Sequence, residues 1–329
     1  MKAGEDKLVE RIVEALAPKG GPYLALGVGD DAALLRPRQG YETILTCDWF
    51  LEGSHFLRGK HPPDSVGWKC LARAISDIAA IGGQPKCFLL SLALPRTLTG
   101  RWLHQFLAGL RGAARSFGCP LAGGDTTRRD EILISVTVIG EVRAGEAVLR
   151  SGAKPGDLIF VTGRLGEAEL GLQSLRSGRT LGGRDDLSIK KHLYPEPRLA
   201  VGQWLARKRV ATAMMDLSDG LSSDLTRLCA ASRVGARIAI GKIPTVKVLR
   251  GKVPKSVDAT ELALHGGDDY ELLFTVRPSR ARGLPAAFEG IPLTGIGEIT
   301  RERRLVRVGP GEREETLAVR GWDPFRHRK

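Results

Sequence analysis

RSGAKPGDLIFVTG, residues 150–163, decides how the chain is read. Its first half is a turn punctuated by Gly152, Pro155 and Gly156, and its second half is an apolar run with the composition of a buried strand. A turn followed by a fresh strand marks the start of a second folding unit. At 329 residues the chain is well over the roughly 100–150 residues of an average domain. Two units with separate cores are therefore expected, 1–149 and 150–329.

Towards the N-terminus, Leu8, Ile12, Val13 and Leu16 recur at helical spacing and give an opening amphipathic helix that ends near Pro18. Strand-like runs follow at Tyr23–Leu26, Ala32–Leu35 and Thr43–Thr46. Asp64 is the expected N-cap of a long helix through WKCLARAISDIAAI, stopped by Gly82-Gly83. CFLLSLALP reads as a buried strand, Arg101–Phe117 as a helix and Ile132–Val142 as a strand. Towards the C-terminus come a helix led by Gly166, a strand ATAMMDL and a helix from Asp219. Strands ARIAI, ELLFTV, TGIGEI and RLVRV complete the second half, and Ser177–Asp186 reads as a mobile loop. Both halves mix helices with strands, so the class is α/β or α+β.

Composition is that of an ordinary globular chain, 42% hydrophobic and 26% charged. No apolar run approaches the roughly 18–20 residues that cross a bilayer, and the charged start MKAGEDKLVERIVEAL does not resemble a signal peptide. A cytosolic location, with no membrane partner, is expected. The five cysteines, at 47, 70, 87, 119 and 229, are isolated, with no CxxC pair for zinc, and fit reduced thiols. Net charge is +13, most of it beyond residue 150. The arginines there (Arg301, Arg303, Arg304, Arg307, Arg326, Arg328) are scattered without interleaved aromatics. They read as a solvated basic face, and no nucleic-acid partner is expected.

The chemistry lies in the aspartates. Asp30-Asp31 follow a Gly-x-Gly turn, Asp48 ends the strand ILTCD, and Asp77 sits within an apolar helix. Asp125 is in GGDTT, Asp216 and Asp219 flank the turn of MDLSDG, and Asp268-Asp269 follow a double glycine. Any one of these suits an ordinary turn. Carboxylates brought together repel unless a cation lies between them, and Mg²⁺ takes hard oxygen ligands, so the set points to several Mg²⁺ ions and phosphate chemistry. Asp77 is the hardest to explain structurally, because a buried unpaired carboxylate is costly. No Walker A loop is present. GVGDDA at 27–32 fits the dinucleotide pattern only formally, with two aspartates where a pyrophosphate would sit. Protein-kinase motifs are also absent.

In order along the chain, GVGDDAALL, LTCDWFLEGSHF, SDIAAIGGQP, AGGDTTR, RSGAKPGDLIFVTGRLG, YPEPR, MDLSDGLSSDL, HGGDDYELLFTV and GWDPF resemble the thiamine-monophosphate kinase family. This family falls within the ATP-binding superfamily typified by aminoimidazole ribonucleotide synthetase. The resemblance runs from about Gly27 to Phe325. It implies ATP-dependent phosphorylation of thiamine phosphate to thiamine diphosphate. It also implies two mixed α/β domains and a homodimer whose N-terminal domains form a β-barrel together. Carried onto this sequence, it implies Mg²⁺ ligands at Asp30, Thr46, Cys47, Asp48, Asp77, Asp125, Asp216 and Asp219. It further implies ATP contacts at Gly124, Asp125, Arg150 and Ser218, and substrate contacts at His55, Asp268 and Trp322.

Three positions depart from the family pattern: Cys47 stands where Thr is usual, Asp268 where Glu is commoner, and Ser54 where Asn is frequent. Read without the resemblance, His55 beside Phe56 is a half-buried histidine, Arg150 pins a turn and Trp322 covers an apolar patch. The acceptor is already a phosphate oxygen, so no strong general base is needed. Direct in-line transfer is expected, with Asp48, Asp77, Asp125, Arg150 and Asp216 as the catalytic group. The alternatives are a sibling ATP-dependent synthetase, whose cysteine motifs are missing here, and a basic nucleic-acid-binding protein.

Overall fold

The computed structural model describes residues 5–16, 22–178, 187–247, 257–309, 311 and 313–325. By internal contacts the chain divides into two units, one of residues 1–78 and 83–145, the other of 79–82 and 146–329.

In the first unit, β6 (Leu133–Arg143) is buried along almost its whole length and lies between β3 (Tyr41–Leu51) and β4 (Gln84–Leu94), antiparallel to both. β5 (Leu121–Arg128) runs parallel to β4 on the outer side, giving the order β3-β6-β4-β5. A parallel neighbour needs a crossover, and α3 (Arg101–Ser116) supplies it. The buried residues of α3 (Leu103, Phe106, Leu107, Leu110, Ala113 and Ala114) recur at helical spacing. α2 (Pro63–Ile81) connects β3 to β4. α1 (Glu5–Leu16) and the small antiparallel pair β1 (Leu24–Leu26) and β2 (Leu34–Leu35) complete the unit.

Three expectations need correction. α2 begins at Pro63, so Asp64 lies in its first turn and is not the N-cap; proline at the first helical position has no backbone N–H to lose. β3 continues through Leu51, so Asp48 is inside a strand instead of at its end. The glycine-rich LAGGDTTR, read as a turn, forms β5 because pairing with β4 overrides weak local propensity.

The second unit is built on an eight-stranded sheet with the path β14-β13-β9-β12-β7-β10-β8, and β11 attached to β12. Its strands are β7 (Leu158–Thr162), β8 (Ala211–Leu217), β9 (Gly235–Ala239), β10 (Glu271–Val276), β11 (Ala287–Phe288), β12 (Ile291–Thr300), β13 (Leu305–Val308) and β14 (Glu314–Thr316). Only β9 and β13 are parallel neighbours on that path.

Strand alternation sorts the core. Ile159, Val161, Met215, Leu217 and Leu273 face α7 (Leu221–Ser232) and α8 (Ala259–His265), while Met214, Leu272 and Phe274 pack with Val201 and Leu205 of α6 (Leu199–Arg207). Each such buried Leu or Ile contributes about 1.5–3 kcal/mol. With both faces covered, ELLFTV is buried throughout and shows no polar alternation.

α4 (Glu167–Ser177), α5 (Leu187–Leu193) and the short α9 (Pro278–Ala281) complete the unit. The helix expected from Asp219 starts two residues later, at Leu221. Of the expected loop Ser177–Asp186, Ser177 closes α4 and 179–186 lie outside the described residues. All five cysteines are free. No described helix is long and apolar enough to cross a membrane.

Candidate active site

In the first unit, β3 and α2 bring three of the expected residues together. Thr46 and Asp48 share a face of β3 with Ile44 and Phe50, which are buried. The Thr46 hydroxyl donates to Oδ2 of Asp77 on α2. Asp77 sits on α2 four and eight residues beyond Arg73 and Lys69, hence on one side of the helix. Lys69 is fully buried, and the Arg73 guanidinium lies 5.4 Å from the centre of the Phe50 ring. These two cations had not been singled out, although WKCLARAISD carries them at helical spacing.

Of the other expected residues of this unit, Cys47 lies on the other face of β3, Gly124 and Asp125 lie on β5, and Asp30 and His55 lie between the named elements. Cys47 points to the other face of β3, where its Sγ is 3.4 Å from Ser135 Oγ. Its thiol therefore does not share a face with Thr46 and Asp48, leaving the backbone carbonyl as its only means of joining them. Asp125 is in register with Ser91 on β4, Ser135 on β6 and hence Trp49 on β3, so it too faces away from Asp48. β3 and β5 are the two outer strands, three strand steps apart, which is roughly 14 Å at about 4.8 Å each. Gly124 has a structural reason to be glycine, since a Cβ there would run into the Leu90 carbonyl of β4. Asp30 is exposed and accepts the Asp31 N–H at 2.8 Å. His55 is half-buried, with Nδ1 accepting the Leu51 N–H at 3.1 Å, so the neutral ring carries its proton on Nε2.

In the second unit, backbone hydrogen bonds gather four expected residues. Ser218 and Asp219 form the turn after β8. The Ser218 carbonyl accepts the Asp268 N–H at 2.8 Å, and the Asp219 carbonyl accepts the Trp322 N–H at 2.9 Å. The chain must come close for this: a Cβ on Gly321 would collide with the Asp219 carbonyl and the Ser223 side chain. Asp216 is the penultimate residue of the same strand, 3% exposed. Arg150 is exposed, and its carbonyl accepts from Ser232 at 2.9 Å. Asp219 pairs with Arg227 at 2.6 Å, and Arg227 is also 2.6 Å from the buried Asp224. Burial, then the charge of Asp219, raises the Asp224 carboxyl to about 7 in spite of Arg227.

Sequence reasoning missed a buried ion-pair cluster behind this turn. Glu271 Oε1 is 2.5 Å from both Lys191 Nζ and Arg198 Nη2, and its Oε2 accepts from Thr162 at 2.6 Å. YPEPR and DYEL are thus joined through Arg198 and Glu271, 73 residues apart. Nothing local in either motif announces that pairing.

Among the described residues, no three His, Cys, Asp or Glu side chains form a metal cage. The donors of Asp30, Thr46, Asp48, Asp77 and Asp125 are hard oxygens. This suits Mg²⁺, which is commonly held by one or two carboxylates and completes its shell with water and substrate phosphates.

This architecture is that of the AIR synthase related proteins. Residues 29–142 match that family's N-terminal domain and residues 154–309 its C-terminal domain. The thiamine-monophosphate kinase of Escherichia coli O157:H7 is 38% identical over 331 residues, covering 99% of both chains. The crystal structure of thiamine-monophosphate kinase from Stenotrophomonas maltophilia K279a is 34% identical with a TM-score of 0.80, over 95% of this chain and 98% of that one. AaThiL complexed with AMPPCP and TMP is 32% identical with a TM-score of 0.77, over 98% and 97%. Within the AIR synthase related proteins, the chain belongs to the thiamine-monophosphate kinase family.

Proposed function

We propose that the chain transfers the γ-phosphoryl group of ATP to thiamine phosphate, giving thiamine diphosphate and ADP. The observation that carries this reading is the match, over nearly the whole chain, to a structure that holds AMPPCP and TMP together. The acceptor is a phosphate oxygen, ionised at neutral pH, so the work left to the protein is positioning and charge compensation.

In this reading Gly124, Asp125, Arg150 and Ser218 contact ATP, with the Arg150 guanidinium suited to a migrating phosphoryl group. His55, Asp268 and Trp322 contact thiamine phosphate. Asp30, Thr46, Asp48, Asp77, Asp125, Asp216 and Asp219 would hold Mg²⁺, with Cys47 contributing through its carbonyl. Bound there, Mg²⁺ would neutralise charge on the phosphates. Residues 1–149 would serve nucleotide binding and dimerisation, and 150–329 would form the C-terminal α/β domain.

A homodimer is part of the proposal, and two observations support it. Leu45 and Trp49 on the outer strand β3 are 70% and 57% exposed, an apolar face suited to a second copy. Asp48 and Asp125 stand on opposite outer strands and opposite faces of one sheet, so a second copy offers a route for both carboxylates to serve one nucleotide. A cytoplasmic setting accords with five free cysteines.

ADP release measured with and without thiamine phosphate tests the reading. Release that depends on thiamine phosphate is expected, and equal release without it would refute a kinase acting on that acceptor.

A further inference from the structure

The loop that enters β10, with the first residue of the strand, carries three carboxylates with three different surroundings. Asp269 is 2% exposed and accepts the backbone N–H groups of Gly166 at 2.6 Å and Ala168 at 3.1 Å, which fixes the start of α4. Glu271 is fully buried on Lys191, Arg198 and Thr162. Asp268 keeps a partly open carboxylate, 23% exposed.

Its backbone is unusual. Asp268 has φ +68° and Tyr270 φ +49°, left-handed values that side chains other than glycine seldom adopt. Both residues are pinned there, by Asp268 N–H to the Ser218 carbonyl at 2.8 Å and Tyr270 N–H to the Leu217 carbonyl at 2.9 Å. The pair of left-handed residues brings the two side chains together, and the Tyr270 hydroxyl donates to Asp268 Oδ1 at 2.7 Å. His192 Nδ1 lies 3.9 Å from the other oxygen. The Tyr270 ring is 2% exposed and cannot swing away. A phenylalanine would fill the same volume but lack the hydroxyl that reaches Asp268.

We propose that Tyr270 is a positioning residue for thiamine phosphate, its hydroxyl holding the Asp268 carboxylate in the orientation that receives the cationic, amine-bearing end of the substrate. The inference rests on the reading of Asp268 as a substrate residue. A carboxylate already anchored at one oxygen meets the substrate without first losing rotamer freedom, and that saving appears as substrate affinity.

Three variants test it: Tyr270→Phe, Asp268→Asn and the two combined, each with KM and kcat for both substrates and a melting curve. Tyr270→Phe is expected to raise KM for thiamine phosphate roughly 5- to 10-fold, the range of one lost hydrogen bond, with KM for ATP and melting temperature little changed. Asp268→Asn should raise the same KM at least as much. If the hydroxyl acts through that carboxylate, the double variant should be no worse than Asp268→Asn alone. An unchanged KM in Tyr270→Phe beside a raised one in Asp268→Asn overturns the inference and leaves the role of Asp268 intact. An unchanged KM in Asp268→Asn removes both. Additive effects, or both KM values rising with a lowered melting temperature, identify Tyr270 as merely structural and also overturn the proposal.

Discussion

Trp322 is tied to the turn after β8 by its backbone N–H. Trp322→Ala therefore removes the indole and leaves the tether. Thiamine phosphate carries a thiazolium cation, for which an indole face is worth about 0.5–2 kcal/mol. KM for thiamine phosphate should rise roughly 2- to 30-fold at 1.4 kcal/mol per decade, with KM for ATP unchanged. Equal rises for both substrates would show that the ring supports the fold instead of the substrate.

Asp77 and Asp48 give a second prediction at this scale. Asp77 accepts from Thr46, and Asp48 shares the same face of β3. Asp48→Asn and Asp77→Asn should each lower turnover by about 10²-fold or more, as expected for loss of a group that offsets phosphate charge. Melting without Mg²⁺ is the structural control, and Asp77→Asn is expected to lower it, since Asp77 shares one side of α2 with Arg73 and the fully buried Lys69. Near-normal turnover at limiting Mg²⁺ would rule these residues out as ligands.

Among the elements, the long periodic segments were legible in the sequence and the pairing-dependent ones were not. α3 follows directly from the spacing of Leu103, Phe106, Leu107 and Leu110, and ELLFTV is the strand its composition suggests. β5 escaped because glycines carry no apolar period and the strand exists only through β4. The aspartates were visible one by one, but which of them share a face depends on register, which placed Asp125 away from Asp48. The Glu271 cluster was hidden for the same reason, its partners lying 73 and 80 residues away.

That cluster yields a prediction about pH. Burial alone would raise the Glu271 carboxyl, but Lys191 and Arg198 outweigh it and hold it down at about 2, against an ordinary 4.5. A depressed carboxyl contributes stability that is complete above pH 4.5 and lost as pH falls from 4.5 towards 2. Glu271→Gln leaves Lys191 and Arg198 without their shared counter-charge, at a cost of about 3–5 kcal/mol near pH 7. Melting temperature against pH should show a steep fall below 4.5 in the wild type, and a smaller gap between wild type and variant at pH 3 than at pH 7. A gap that does not narrow in acid would mean that the ion pairs are not its cause.

For the whole molecule, the exposed Leu45 and Trp49 of β3 link assembly to activity. Leu45→Lys with Trp49→Lys places like charges on the face proposed to meet a second copy. Sedimentation should show a monomer, with turnover falling alongside. A variant that stays dimeric, or a fully active monomer, would separate β3 from the proposed assembly. The net charge of +13 needs no nucleic-acid partner in this account. Many of the described arginines of the second unit stand in surface ion pairs, such as Arg307 with Glu315 and Arg237 with Glu314.

The central claim is transfer of the γ-phosphoryl group of ATP to thiamine phosphate. Mass spectrometry of the products formed with Mg²⁺ and ATP labelled with oxygen-18 throughout the γ-phosphoryl group tests it most directly. The account predicts thiamine diphosphate carrying all three non-bridging labelled oxygens, one ADP for each, and no comparable product from free thiamine. ADP without thiamine diphosphate, or thiamine diphosphate formed as readily from free thiamine, would contradict it.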